Sequence, residues 1–130
     1  NKDKIVLKGT LRGEALYQEM NNFDVGIAPY ASRLTEDEKS GVGSGSKIYH
    51  YLALGKPVVI SYMVGLEDFT FPEESVYIAR KNDDFPSLIS RAHLNNSTSL
   101  IKQRIEYAQK NTWEKRMEQL MNLYHQYKVF

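Results

Sequence analysis

The stretch Gly43-Ser-Gly-Ser-Lys-Ile-Tyr-His-Tyr-Leu-Ala-Leu-Gly-Lys-Pro-Val-Val-Ile-Ser61 decides the fold of this chain. It predicts a glycine-serine loop, a helix over residues 46–54, a left-handed glycine at position 55 and a strand over residues 57–61. The strand is rich in β-branched residues without alternation, which is typical of a parallel sheet covered by helices on both faces. Because a helix N-terminus presents free backbone N–H groups and the positive end of the helix dipole, this loop is also a candidate anion site.

Strands and helices alternate on both sides of this stretch. Alternation of this kind predicts an α/β fold with right-handed crossovers. We therefore expect residues 1–130 to form a single domain, built on a Rossmann-like parallel sheet of about four strands with flanking and C-terminal helices. The predicted strands lie at 5–7, 25–29, 57–61 and 75–79, and the predicted helices at 14–22, 46–54, from Asp83 or Asp84 to Leu94, after Ser97 or Thr98, and after Thr112.

Composition excludes several classes of function. The chain has 130 residues, no cysteine and a formal net charge of +1, which excludes thiol chemistry and gives no basic surface for nucleic acid. No apolar run approaches the roughly 20 residues that span a bilayer, and the histidines lack the spacing of metal ligands. No metal or cofactor is expected, and the lack of cysteine fits a cytoplasmic protein. The chain begins at Asn1 rather than Met, which we interpret as a fragment of a longer protein.

The candidate site lies where the helix over residues 46–54 begins. Ligands of parallel sheets bind at the carboxyl ends of the strands, and the glycine-serine loop reaches that edge. Helical spacing places Lys47 and His50 on one face. Lys47 would meet a phosphate as a point charge, with backbone N–H groups from Ser44, Gly45 and Ser46 beside it. His50, one turn further on, would contact a ribose hydroxyl or stack on a ring.

Two nucleotide-binding motifs are matched here only in part. Gly41-Val-Gly-Ser-Gly-Ser-Lys-Ile48 differs from a P-loop, because Ser46 replaces the second glycine and Ile48 replaces the magnesium-binding hydroxyl residue. The preceding predicted strand also ends a dozen residues earlier. Ser46 likewise stands where a dinucleotide-binding fingerprint requires its third glycine. Both interpretations are therefore set aside.

Four segments, in order, resemble those of one protein family. Lys47-Ile-Tyr-His-Tyr-Leu-Ala-Leu-Gly-Lys-Pro-Val-Val59 resembles the K-x-x-E-Y-L-A-x-G-K-P-V-V of group-1-like glycosyltransferases with the GT-B fold, in their C-terminal, nucleotide-sugar-binding half. The other three resemblances are Ile5-Val-Leu-Lys-Gly9 to the family's v-x-f-x-G strand, Phe23-Asp-Val-Gly-Ile-Ala-Pro-Tyr30 to its a-D-v-x-l-x-P-y, and Asn111-Thr-Trp-Glu-Lys-Arg-Met117 to its n-S-W-e-x-r.

The resemblance implies half of a GT-B fold that binds the nucleoside diphosphate part of a UDP- or GDP-sugar. In this family the glycine-rich turn and the helix N-terminus hold the donor diphosphate, and no metal is needed because the helix dipole and basic side chains stabilise it. The positions implied are Ser44, Gly45, Ser46 and Lys47 for the diphosphate, His50 for the ribose, and Gly9, Thr10, Leu11, Gly65, Leu66 and Glu67 for the rim around the base and the sugar.

The resemblance also implies a larger parent enzyme. In the family, one more strand and helix and a whole acceptor-binding domain precede the matched part. Catalysis takes place in the cleft between the two halves, so no catalytic residue is assigned here and the isolated fragment is expected to be inactive. The parent would build a bacterial surface polysaccharide, in the cytoplasm or peripheral to the inner face of the membrane. Apolar faces bared by the absent domain would favour self-association of the fragment.

Two departures from the family keep alternatives open. The family's ribose-binding glutamate is His50 here, and a neutral imidazole accepts a hydrogen bond at one nitrogen only. The glutamate that many retaining members carry eight positions earlier is Val42, so their paired-glutamate pattern is absent. A degenerate domain that has lost donor binding is one alternative. A non-catalytic flavodoxin-like or receiver-like signalling module is the other, although the acidic pair and late lysine of a receiver are not found at the expected strand ends.

Overall fold

The computed structural model describes residues 4–30 and 45–127. Strands and helices alternate along this part of the chain, as the sequence predicts. The elements are α1 (Gly13–Asn21), β1 (Gly26–Ala28), α2 (Ser46–Ala53), β2 (Val58–Ser61), β3 (Val76–Ala79), α3 (Phe85–Leu94), α4 (Thr98–Lys110) and α5 (Trp113–Tyr127), with short 3-10 helices at Leu66–Asp68 and Asn82–Asp84.

The sheet is parallel, in the order β1-β2-β3. Gly26 pairs with Val58, which in turn pairs with Val76, and the register continues without a break along the three strands. Val58, Val59 and Ile60 of the central strand have no exposed surface, so β2 is covered on both faces. The predicted α/β class and the buried strand are confirmed, and the arrangement is consistent with the Rossmann-like half of a GT-B fold.

The two faces of the sheet carry separate apolar clusters, because successive side chains of a strand point to opposite sides. Helix α2 covers one face with Ile48 and Leu52, and α4 packs against α2 on its outer side. Helix α3 covers the other face. The first cluster contains Ala28, Ile48, Leu52, Val58, Ile60, Met63, Leu66 and Ala108, and the second contains Val59, Tyr77 and Ala92.

The predicted strand over residues 5–7 is wrong. Ile5, Val6 and Leu7 have irregular backbone and are 72%, 70% and 90% exposed. A strand needs a neighbour that accepts its backbone hydrogen bonds, and in the described ranges the ladder joins only β1, β2 and β3. The sheet therefore has three strands there, where the sequence predicts about four. A run of three apolar residues does not show whether a neighbouring strand is available for pairing.

Most predicted helix ends are confirmed. Helix α2 ends in a Schellman motif, in which Lys56 N–H donates to the Tyr51 carbonyl at 3.0 Å and Gly55 N–H donates to the Leu52 carbonyl at 2.9 Å. Gly55 has a φ of 71° there. The hydroxyl of Ser97 accepts the N–H of Leu100, and that of Thr112 accepts the N–H of Lys115; both are N-caps of helices.

Buried polar groups fix the amino edge of the sheet. Arg104 of α4 has no exposed surface and donates to the carbonyls of Gly55, Glu74 and Asn95, at 3.1, 2.6 and 3.2 Å, and to Oδ1 of Asn96 at 2.6 Å. Glu74 has a φ of 52°, and its carboxylate accepts hydrogen bonds from Arg91, Tyr77 and Asn95. One arginine thus ties together the three connections at this edge.

Helix α5 has an apolar stripe and no buried residue. It is anchored at its start, where Arg116 donates to the Tyr49 hydroxyl at 3.3 Å and to Oδ1 of Asn111 at 3.0 Å. No helix in residues 4–30 and 45–127 is both long and apolar enough to cross a membrane. The exposed stripe consists of Trp113, Met117, Leu120, Met121, Leu123, Tyr124 and Tyr127.

Candidate functional site

Helix α2 begins at the carboxyl edge of the sheet, directly after Gly45. Its N-cap, Gly45, is buried and left-handed, with a φ of 62°. A Cβ at this position would lie 3.1 Å from Cδ1 of Ile48, so both conformation and space favour glycine. The first turn is tight, since Ile48 N–H donates to the Gly45 carbonyl at 2.8 Å. Among the residues described, the N–H groups of Ser46 and Lys47 have no acceptor; Ser44 lies outside that part of the chain.

Lys47 extends from this first turn along the strand ends. Its Nζ lies 5.6 Å from the centre of the Tyr30 ring, and within the described residues it has no carboxylate partner within 4.0 Å. The backbone of Tyr30, which follows β1, is fixed because its N–H donates to the Ser61 hydroxyl at 2.9 Å. The charge of Lys47 is therefore held over a tyrosine face with its ammonium hydrogens available to a ligand.

The turn Gly65-Leu66-Glu67 lies against the start of α2. Leu66 is buried, and its Cδ2 is 3.8 Å from the place that a Cβ on Gly45 would take. Glu67 Oε1 accepts the hydroxyl of Tyr62 at 2.8 Å. A backbone hydrogen bond at Glu67, this hydroxyl and the charge of Arg80 lower the pKa of Glu67. Glu67 is thus an ionised hydrogen-bond acceptor at the rim.

Arg80 also lies at this edge of the sheet, and none of the sequence motifs contains it. It follows β3 directly, and its guanidinium carbon lies 4.7 Å from the centre of the Tyr62 ring. Its backbone N–H donates to Oδ2 of Asp84 at 3.0 Å. Its place can be found from the alignment of the strands. Ala28, Ile60 and Ile78 lie side by side, and two residues further on Tyr30, Tyr62 and Arg80 are aligned in the same way.

His50 lies on the second turn of α2, away from the helix N-terminus. It is exposed, as its spacing from Lys47 predicts, and its Nδ1 is 2.9 Å from the hydroxyl of Tyr17 on α1. The two rings are 5.9 Å apart. Within the described part of the chain, Nε2 has no partner. The contact with Tyr17 orients the imidazole and leaves one nitrogen for a ligand.

The segment Gly9-Thr10-Leu11 lies beside this second turn of α2 instead of beside its N-terminus. Gly9 and Leu11 line an open groove of about 540 Å³ between the N-terminal segment, α1 and the ring of Tyr51. Thr10 is exposed beside it. The groove is mainly apolar and has an ion pair at its edge, where Lys8 Nζ is 3.4 Å from Glu19. A flat, weakly polar group such as a nucleobase matches its chemistry.

The structure thus brings Gly45, Ser46, Lys47 and the Gly65-Leu66-Glu67 turn together, with His50 and the groove further along α2. Such an edge can bind an anion through backbone N–H groups and two cations, with ring and hydroxyl groups beside it. In the described ranges, no group of three or more histidine, aspartate and glutamate residues is placed to hold a metal ion.

Comparison with known proteins identifies one relation. The model of a family described as glycosyl transferase-like matches residues 1–122 of this chain. That match includes every element from α1 to α4 and most of α5. Searches of curated proteins and of solved structures found no match.

Proposed function

Because the chain belongs to the glycosyl transferase-like family, we propose that it is the donor-binding part of a glycosyltransferase, which holds the nucleoside diphosphate of a nucleotide sugar. The parent enzyme would transfer the sugar to an acceptor. The single observation that carries this proposal is the start of α2, where the N–H groups of Ser46 and Lys47 have no acceptor among the described residues and Lys47 supplies a cation. Backbone N–H groups, a helix dipole and a cation together are what a phosphate requires.

The order of groups along the site supports a nucleotide in one orientation. The apolar groove beside Gly9 and Leu11 would take the base, and Nε2 of His50, which has no partner among the described residues, would contact the ribose. The diphosphate would then reach Gly45, Ser46 and Lys47, and the sugar the turn at Gly65–Glu67. Base, ribose, phosphate and sugar thus follow one another in the order of their covalent connection.

The chemistry that this part of the enzyme supplies is electrostatic. When the bond between the sugar and the diphosphate breaks, negative charge develops on the departing phosphate oxygens. Helix N–H groups and a cation that already point there stabilise that charge without reorganisation. In the proposal, the acceptor and the groups that activate it come from an acceptor-binding domain of the same protein, the other half of a GT-B fold.

Exposed apolar surface supports the existence of such a neighbour. Trp113 and Leu7 are 86% and 90% exposed, and the other residues of the α5 stripe are 38% to 66% exposed. Large apolar patches of this kind mark contacts with other protein surfaces. We place the acceptor-binding domain there, and we assign the whole enzyme to bacterial surface polysaccharide synthesis at the cytoplasmic side of the membrane.

Calorimetric titration of the purified intact protein with UDP, GDP and their sugar conjugates tests the donor role. Lys47→Ala removes a charge-assisted contact of about 1.5–3 kcal/mol, so the Kd should rise by about 10- to 100-fold. Lys102→Ala is the matched control: it removes the same charge from an exposed position on α4 and should leave the Kd unchanged. Equal affinity of the wild type and Lys47→Ala would contradict the phosphate role, and no binding by the wild type would favour a degenerate domain.

A further inference from the structure

Three residues from neighbouring strand ends form one row on the face that α2 covers. The register pairs Ala28 with Ile60 and Ile60 with Ile78. Side chains two residues further on return to the same face, so Tyr30, Tyr62 and Arg80 continue this row beyond the sheet. Tyr30 packs against the apolar cluster of α2, which confirms the face for its end of the row.

Each of the two tyrosines in this row carries a cation over its ring. Lys47 Nζ is 5.6 Å from the Tyr30 ring centre, and the guanidinium carbon of Arg80 is 4.7 Å from that of Tyr62. The two tyrosines follow neighbouring strands, so the two cations lie at the same edge of the sheet. Two like charges at one edge repel each other, and an anion that contacts both relieves this repulsion.

Neither cation is neutralised by an ion pair within the described residues. Arg80 has no carboxylate oxygen within 4.0 Å there; the ionised Glu67, whose pKa the charge of Arg80 lowers, lies further away and uses Oε1 to accept the Tyr62 hydroxyl. The Arg80 backbone is held by Asp84, so the arginine starts from a fixed position. A planar guanidinium stacked on a ring keeps its N–H edge free for bidentate contact with a phosphate.

We propose that Arg80, stacked on Tyr62, is a second phosphate-binding residue and selects nucleoside diphosphates over monophosphates. This inference rests on the proposed function, because it takes the orientation of the nucleotide from it. With the base beside α1 and the first phosphate at Lys47, the next group along the row from β1 to β3 reaches Tyr62 and Arg80. Arg80 therefore contacts the second phosphate, the one that bears the sugar, and a monophosphate stops short of it.

Calorimetry of the intact protein with UDP, GDP, UMP and GMP tests this inference. In the wild type the diphosphate should bind more tightly than the corresponding monophosphate. Arg80→Leu should weaken binding of the diphosphate by about tenfold or more and leave the Kd of the monophosphate within about twofold. Arg80→Lys keeps the charge but loses the planar guanidinium, and should retain part of the preference for the diphosphate over the monophosphate. Lys81→Leu removes the neighbouring charge, which the pleat places on the other face, and should keep the diphosphate preference.

The outcomes separate this inference from the proposed function. Suppose that Lys47→Ala weakens binding, and that Arg80→Leu either weakens the binding of monophosphate and diphosphate equally or changes neither. The donor site then stands and the role of Arg80 is refuted. If Lys47→Ala has no effect, or the wild type binds none of the four nucleotides, the proposed function and the inference are both overturned. Far-UV circular dichroism of each variant checks the fold, which the exposed position of Arg80 should leave intact.

Discussion

Replacing Arg104 by leucine should be among the most damaging single changes to the stability of this fold. Its guanidinium is buried and makes four hydrogen bonds, to the carbonyls of Gly55, Glu74 and Asn95 and to the side chain of Asn96. Burial lowers the pKa of the guanidinium by desolvation, so part of what these hydrogen bonds contribute offsets the cost of burying the charge.

The magnitude follows from what leucine would leave behind. Three carbonyls, of which that of Gly55 is buried, lose a charged donor, and each acceptor that water does not reach costs about 1–3 kcal/mol. Leucine fills part of the volume and removes the desolvation cost of the charge, which reduces the loss. The net expectation is a loss of about 3–5 kcal/mol in the free energy of unfolding, a large share of the roughly 5–15 kcal/mol that stabilises a domain.

Urea denaturation followed by far-UV circular dichroism measures this loss. Arg104→Lys should lose nearly as much as the leucine variant, because one ammonium cannot reach all four acceptors. Lys102→Leu, two residues away on the exposed side of α4, should change the free energy of unfolding by no more than about 0.5 kcal/mol. A loss below about 1 kcal/mol for Arg104→Leu would refute the reasoning, since the three connections would then hold without the arginine.

Two further changes test the backbone and the charges of the same edge. Gly55→Ala should cost about 2–4 kcal/mol in the same assay, because φ is 71° and the new Cβ would lie 2.7 Å from Cγ2 of Ile101; a loss below 1 kcal/mol would contradict this packing. Hydrogen bonds from Arg91 and Tyr77 lower the pKa of Glu74 from 4.5 to about 2, so this carboxylate stabilises the fold above pH 4.5 and stops doing so as the pH falls toward 2. The free energy of unfolding of Glu74→Gln should therefore fall less between pH 5 and pH 2 than that of the wild type, and an equal fall would exclude this role.

The sequence predicts best what is decided locally. Glycine at position 55, the apolar spacing of Ile48 and Leu52, and the hydroxyls of Ser97 and Thr112 fix the ends and faces of helices within a few residues, and the structure confirms them. The buried run of β2 is equally local, because a strand covered on both faces leaves no polar position.

What the sequence does not reveal depends on distant partners. Residues 5–7 read as a strand, but the ladder in the described residues offers them no pairing. Nothing near Arg104 in the sequence shows that three loops converge on it. Arg80 follows no motif, and joins the candidate site only through the register of three strands.

The most direct test of the central claim is an NMR titration of the isotope-labelled intact protein with UDP and GDP. If the start of α2 binds the diphosphate, the largest changes in amide chemical shift should occur at Gly45, Ser46 and Lys47, and they should saturate with the nucleotide concentration. Unchanged amides at these three positions, with saturable changes elsewhere or none at all, would contradict the account.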